Sequence, residues 1–271
     1  MPRAYHRKPP IVDHLSYSAV RSFMVSPNKF HKSYVLRERM LGSMSMAAGK
    51  AWHKALEYHY RGMEYKQAIK QAKEYLMTEA IQTRGDLTEE DVLNEVHLLG
   101  ENFKLYLSRE RSWKPKYIEE SIIIPSPVRY GLPIKCVMDI VDMDNNIIDH
   151  KYIGARNKKP DTQYYMQAWF YYHAVKELTG FYPEKFIAAE FIRGSLASCK
   201  KENAAIDKYT EKVILYNKEW ISKIDEWYGK FCIQLRKQKE FLPNPFQLYD
   251  YEEWDQYLGL ERETIPTKDE E

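Results

Sequence analysis

The chain has 271 residues, of which 44% are hydrophobic, so it can bury one large core or two small ones. Its 41 basic and 39 acidic side chains leave a net charge of +2, which argues against a uniformly basic nucleic-acid-binding domain but not against a local basic patch. No apolar run approaches the roughly 18 residues of a membrane span, and three widely separated cysteines exclude a disulfide framework and a zinc site.

The chain is expected to open with a short helix. Ser16 or Ser18 can cap its start, and it should end near Val25, since Pro27 follows. A loop is predicted over residues 37–46.

The next predicted helix carries a candidate functional face. We place it from Ala47 to Met63, where Gly49, His53 and Glu57 lie on nearly one face by their i, i+4, i+8 spacing. A single histidine on a helix usually has a structural role, and Glu57 can simply pair with a neighbouring base. The spacing alone leaves these alternatives open.

Two further helices are predicted before the first strand. Apolar residues recur at helical spacing over 65–84, and Gly85-Asp86 ends that pattern. Thr88, followed by acidic residues, starts another helix that runs to about Arg111. With the preceding helix they would form a helical subdomain over 47–111.

Strands are predicted next. Residues 117–124 read as the first strand, and residues 133–151 read as a β-hairpin with β-branched residues on both arms. Asp144-Asn145-Asn146 is the predicted turn, because Asn and Asp tolerate left-handed backbone.

One face of this hairpin carries a possible catalytic unit. If Met143 pairs with Ile147, then Asp139 lies opposite Lys151, and Asp149 projects from the same face. Carboxylates suit hard divalent cations, and a lysine can orient a water or stabilise charge on phosphorus. The alternative is a solvated strand with ordinary salt bridges.

A basic loop and a helix follow the hairpin. The loop either is solvated or grips phosphates beside a metal site, and its charges are Arg156, Lys158 and Lys159. The helix, from Thr162 to Leu178, carries Gln163, Gln167 and Tyr171 on one face by i+4 spacing.

The remaining elements complete an α/β pattern. Residues 185–193 are a predicted strand, reached through the crossover helix. Residues 209–239 are predicted as one long helix with Val213 among its inward residues, and an aromatic tail begins at Phe241.

Four motifs occur in an order and at a spacing that resemble the RecB-like branch of the PD-(D/E)XK nucleases, especially its phage- or organelle-type exonucleases. Each is weak alone. They are LSYSAVRSFMVSPNKF at 15–30, GKAWHKALE at 49–57, Asp139 with Asp149-His150-Lys151, and QAWFY at 167–171.

The resemblance implies a fold and an activity. The fold would be α/β, a mixed central sheet flanked by helices, in one nuclease domain over 1–271. Its parts would be the helical subdomain at 47–111, a catalytic core at 117–193, and a C-terminal helix with a closing tail at 209–271. The activity would be exonucleolytic hydrolysis at DNA ends with Mg2+ or Mn2+, and the aromatic content favours single strands. The alternatives are a structure-specific endonuclease and a non-catalytic DNA-end-binding accessory module.

The resemblance also implies residue roles. The metal would be held by His53, Asp139, Asp149 and the main-chain carbonyl of His150. Lys151 would orient the attacking water, while Gln167 and Tyr171 would position the lysine and the DNA backbone. The expected DNA contacts are Arg156, Lys158, Lys159, Gln163 and Tyr164.

One feature of the family branch is missing. Many of its members carry four cysteines that bind an iron–sulfur cluster, and Ser26 occupies the first of these positions here. We therefore expect no cluster, and closure of the domain by aromatic packing of Phe246, Tyr249, Tyr251 and Trp254 instead. The basic start of the chain lacks the apolar segment of a signal peptide, so we expect the cytoplasm of a bacterium or of a phage-infected cell, with an organelle matrix as the alternative.

Overall fold

The centre of the molecule is a five-stranded mixed sheet. The computed structural model describes residues 11–38, 42–80, 88–108, 113–154 and 162–242. Within them the strands cross the sheet in chain order: β1 (Pro115–Ile124), β2 (Ile134–Asp142), β3 (Ile147–Ile153), β4 (Lys185–Ile192) and β5 (Tyr209–Leu215). The β3–β4 pair is parallel, the other pairs are antiparallel, and α6 (Thr162–Thr179) is the crossover that a parallel pair needs.

Helices flank this sheet, which confirms the expected fold class. They are α1 (Tyr17–Val25), α2 (Pro27–Phe30), α3 (Met44–Tyr60), α4 (Tyr65–Ala80), α5 (Glu89–Leu107), α7 (Leu196–Cys199), α8 (Ala204–Lys208) and α9 (Lys218–Lys237), with a π-helical turn at His31–Val35. None of the helices in the described ranges is long and apolar enough to cross a membrane.

Capping residues explain where the helices begin. α5 starts at the predicted place, because the Thr88 hydroxyl accepts a hydrogen bond from the Asp91 amide and the Asp91 carboxylate accepts one from the Thr88 amide. α3 begins earlier than predicted, at Met44, because the Ser43 hydroxyl accepts a hydrogen bond from the Met46 amide. The predicted loop over 37–46 is therefore too long at its end.

The prediction of one helix over 209–239 is wrong in its first part. Tyr209–Leu215 is the edge strand β5, and α9 begins only after Asn217, whose side chain accepts a hydrogen bond from the Trp220 amide. At the end of the strand burial alternates: Ile214 is buried, whereas Val213, predicted to face inward, is 52% exposed. Burial that alternates from one residue to the next is typical of a strand. Because β5 pairs with β4, the sheet extends beyond the predicted core at 117–193.

The hairpin register also differs from the prediction. Val141, not Met143, pairs with Ile147. The Asp142 carboxylate accepts hydrogen bonds from the amides of Asp144 and Asn146. The turn therefore begins directly after Asp142, one residue earlier than predicted. A shift of two residues keeps the same side chains on the same face, so the predicted grouping of acids and lysine survives the correction.

β2 and β3 separate beyond this pairing. Their register covers two positions, Ile140 with Ile148 and Val141 with Ile147. At its other end β2 is bridged by Leu15, whose amide donates to the Pro133 carbonyl over 2.9 Å. A gap in the sheet therefore lies between the middle of β2 and the end of β3.

The two helical layers approach β3 from opposite faces. The Trp52 ring of α3 stacks on Tyr152, with 4.6 Å between ring centroids. Gln167 of α6 donates a hydrogen bond to Asp149, three positions before Tyr152. Residues an odd number apart on a strand point to opposite faces, so α3 and α6 can both deliver side chains to the gap.

Phe241, the first residue of the predicted closing tail, packs against the beginning of the described chain. Phe241 lies against the ring of Phe30 and stacks on His31, with centroids 6.2 and 4.7 Å apart. Ser26 is fully buried, and its hydroxyl caps α2 by accepting a hydrogen bond from the Lys29 amide. The aromatic residues expected to complete the closure, from Phe246 to Trp254, lie outside the described residues.

Candidate active site

Asp139 lies at the gap between β2 and β3. Its Oδ2 accepts a hydrogen bond of 2.6 Å from the His150 amide, and the same oxygen is 3.2 Å from Nδ1 of His53 on α3. Burial alone would raise the pKa of Asp139, but the His53 charge and the hydrogen bonds outweigh it and hold the pKa well below its usual range. Asp139 is therefore an anion at neutral pH.

A third residue, Glu119 of β1, completes a compact donor cluster. Ile118 pairs with Ile140 and Glu120 with Met138, so Glu119 falls opposite Asp139. Glu119 has a positive φ of 50°, an uncommon conformation for a residue with a side chain. Its Oε1 is 3.9 Å from His53 Nδ1.

The cluster suits a divalent cation. One donor atom each from His53, Glu119 and Asp139 lies within 4.8 Å of the other two. Two carboxylate oxygens and one imidazole nitrogen form a set that Mg2+ tolerates and that Mn2+ accepts readily. Burial and the nearby Asp139 charge raise the pKa of Glu119 to about 7. Burial would lower the pKa of His53, but Asp139 more than offsets this and raises the pKa to about 9.

Across the gap, Lys151 and Gln167 hold Asp149. Lys151 Nζ is 2.6 Å from its Oδ2, and Gln167 Nε2 donates to its Oδ1 over 2.8 Å. The same Gln167 nitrogen donates to the Tyr171 hydroxyl, which donates in turn to the Val137 carbonyl. α6 thus fixes Asp149 in place and occupies the backbone acceptor that β2 exposes at the gap.

Lys151 is a cation in this arrangement. Burial would lower the pKa of Lys151, but the carboxylates of Asp149 and Asp139 outweigh it and raise the pKa above its usual value. A lysine with a raised pKa is a poor general base. It can still orient a water molecule or neutralise charge that develops on a phosphate.

Several predicted site residues have structural partners. The His150 imidazole is buried, with Nε2 2.9 Å from the Tyr106 hydroxyl and Nδ1 3.8 Å from Asp139 Oδ2. Glu57 forms ion pairs with Lys54 and Arg61, at 2.6 and 3.1 Å. Pairing with neighbouring basic residues was the alternative that the sequence left open for Glu57.

The expected DNA contacts divide into three cases. Arg156, Lys158 and Lys159 lie outside the described residues, and for Gln163 only its place in α6 is described. Tyr164 is described. Its side chain is buried, its hydroxyl donates to Glu190 over 2.7 Å and Lys212 lies over its ring, so the expected DNA contact stays a prediction.

Glu119 was missed by the sequence reasoning. The acidic pair Glu119-Glu120 in an otherwise apolar strand was a weak signal, because ordinary strands carry such polar residues. Its partnership with Asp139 depends on the pairing of β1 with β2. That pairing joins residues twenty positions apart.

Comparisons with known proteins bear on the family and the fold. No curated protein is a significant match to the chain. One similar solved structure is a crystal structure from Eubacterium rectale, described as that of a "putative exonuclease"; it is 14% identical, with a TM-score of 0.55 over 93% of this chain and 91% of that one. At this identity the likeness supports the fold alone. A model of the PD-(D/E)XK nuclease superfamily matches residues 14–248, and the chain therefore belongs to that superfamily.

Proposed function

We propose that the protein is a metal-dependent exonuclease that hydrolyses phosphodiester bonds at DNA ends and prefers single strands. The proposal rests on one observation: a cluster of side chains suited to bind a metal cation lies across one gap in the sheet from an Asp–Lys ion pair. His53, Glu119 and Asp139 form the first, and Asp149 with Lys151 forms the second. Superfamily membership supports nuclease chemistry, and the resemblance of the four sequence motifs to the exonuclease branch supports action at ends.

The residues divide the work of hydrolysis. His53, Glu119 and Asp139 would hold the cation, with Asp149 and the His150 carbonyl as further proposed ligands. When bound, the cation supplies Lewis acidity and lowers the pKa of water. Lys151 orients the attacking water and stabilises the charge on the phosphate, while Gln167 keeps Asp149 in position. The water oxygen bonds to phosphorus as the ester P–O bond breaks.

The substrate preference has separate support. The basic residues Arg156, Lys158 and Lys159 follow β3 in sequence, so they are candidates to contact the DNA backbone beyond the site. The chain also contains 22 tyrosines and 6 tryptophans, which offer stacking surfaces to unpaired bases.

One assay separates this proposal from its alternatives. Linear and circular single-stranded DNA are incubated with the protein and Mg2+ or Mn2+, with the Lys151→Ala variant as the control for contaminating nucleases. We expect degradation of the linear form alone. Degradation of both forms would indicate an endonuclease, and binding of DNA without cleavage of either would indicate an accessory module.

The metal cluster makes a prediction about pH. His53 keeps its proton up to about pH 9 in the metal-free protein, and this proton must leave before the imidazole can bind a metal. The affinity for Mn2+ should therefore rise as the pH increases from neutrality toward 9. Titration calorimetry at several pH values measures this rise directly.

The variant His53→Ala is the matched test. We expect it to weaken Mn2+ binding by roughly 10–100-fold near pH 9 and to remove most of the rise above neutrality. Glu119, whose pKa is about 7, would leave a residual pH dependence at and below neutrality. An unchanged titration in His53→Ala would return this histidine to a structural role.

A further inference from the structure

A cavity of about 540 Å³ lies in the gap between β2 and β3. Lys151, Gln167 and Tyr171 of the candidate active site form one part of its wall. The rest comes from His14, the start of α1, Tyr34, residues 135–137 of β2 and Phe170 of α6. Its volume is in the range of roughly 300–1,000 Å³ that is usual for sites that bind small molecules.

The polar part of the wall favours an anion. Lys135, Lys151 and His14 line the cavity, and none of the described lining residues is acidic. Lys151 is already paired with Asp149, whereas Lys135 has no ion pair with any residue in the described ranges. Lys135 is half-buried, and a lysine without a counter-ion among the described residues is favourably placed to bind an anionic ligand.

Hydroxyl groups lie beside this charge. Ser16 and Ser18 also line the cavity, and their hydroxyls are 2.9 Å apart. The Ser16 hydroxyl also accepts from the Ala19 amide as the N-cap of α1. One of the two hydroxyls donates to the other, so the proton of the accepting hydroxyl is available to an anionic ligand. Serine hydroxyls and lysines are the groups that most often contact phosphate oxygens.

The other part of the wall is apolar and aromatic. Tyr17, Tyr34 and Phe170 line it, together with Val137, which is 43% exposed. Tyr34 is braced by stacking on Phe30, with 5.5 Å between the ring centroids. Aromatic side chains of this kind offer a face to a base without selecting its sequence. One part of the cavity wall therefore suits a phosphate group, and the other part suits a nucleotide base.

We propose that this cavity binds the nucleotide of the substrate strand that adjoins the cleaved phosphate, with its own phosphate near Lys135 and its base against the aromatic wall. The inference rests on the proposed function, because Lys151 and Gln167 belong both to the catalytic site and to the cavity. A DNA strand whose phosphate is held at Lys151 can enter the cavity directly, because Lys151 lines it. In a reaction at a chain end, the cavity holds the nucleotide that is released.

The test is equilibrium binding of thymidine 5′-monophosphate and of thymidine, by calorimetry without divalent metal, so that it does not depend on catalysis. The wild type should bind the monophosphate more tightly than the nucleoside, by roughly tenfold or more. Lys135→Ala should remove this difference and Lys135→Arg should restore most of it. Val137→Trp, which fills the cavity from an exposed position, should weaken both ligands. Lys223→Ala, on the exposed face of α9, should change neither.

Steady-state kinetics give a second readout. With active enzyme, Lys135→Ala should raise both KM and the inhibition constant of the monophosphate by roughly tenfold, with kcat little changed. If the protein cleaves DNA but the monophosphate fails to bind, or binds equally to all variants, the cavity assignment is wrong and the proposed function stands. If the protein cleaves no DNA but binds the monophosphate in a Lys135-dependent way, the proposed function fails and the nucleotide site stands.

Discussion

Replacing Asp149 or Lys151 by Ala should abolish DNA cleavage while DNA binding persists. Under the proposed function Lys151 stabilises the charge that develops on the phosphate, and loss of one such group lowers kcat by about 10²–10³-fold. Asp149 holds Lys151 and Gln167 in place, so its removal disorders the same unit. Initial rates on linear DNA and fluorescence-anisotropy binding without metal measure the two effects separately.

Two controls keep this result interpretable. Asp149→Asn retains the shape of the side chain and still accepts from Gln167, so it separates loss of charge from loss of folding. Asp144→Ala removes an exposed acid from the turn of the same hairpin and should leave the rate unchanged. Near-wild-type activity in Lys151→Ala or Asp149→Ala would remove these residues from the site.

Replacing Trp52 by Ala should cause a large loss in the free energy of unfolding. Trp52 is fully buried where α3 meets the sheet, stacked on Tyr152 and Phe191 and edge-on to Tyr106. Truncation of a buried tryptophan costs about 3–5 kcal/mol, a large share of the roughly 5–15 kcal/mol that stabilises a typical domain. Urea unfolding followed by circular dichroism gives this difference directly.

Trp52→Phe is the matched control for that measurement. The indole Nε1 has no hydrogen-bond partner among the described residues, so Phe loses packing volume but no bond. We expect it to cost much less than Ala. Because α3 also carries His53, the Ala variant should lose metal affinity together with stability. A midpoint equal to that of the wild type would show that the helical layer does not depend on this contact.

Local patterns in the sequence were sufficient for most elements and for part of the site. Thr88 with the acidic residues after it predicted the start of α5, and runs of strand-forming residues predicted β1, β2, β3 and β4. The i+4 spacing of Gln167 and Tyr171 predicted their common face, and the structure joins them by a hydrogen bond. Such patterns are readable because the interacting residues lie within one turn or one strand.

Other features were decided by tertiary structure. Residues 209–215 carry an apolar spacing compatible with a helix, and only pairing with β4 selects the strand. Tyr164 shares its helix with Gln167, but only the folded chain buries it and brings its hydroxyl to Glu190.

The sequence by itself determined which carboxylates, lysine and histidine are available for catalysis, and the two-residue spacing from Asp149 to Lys151. The tertiary structure alone decided that Glu119 joins His53 and Asp139, because three separate elements, β1, α3 and β2, supply these residues. It also decided that a cavity lies beside Lys151, because the residues that line it come from the start of α1, β2, β3 and α6. Contacts between residues distant in sequence are stable only when the whole core is packed, so no local pattern encodes them.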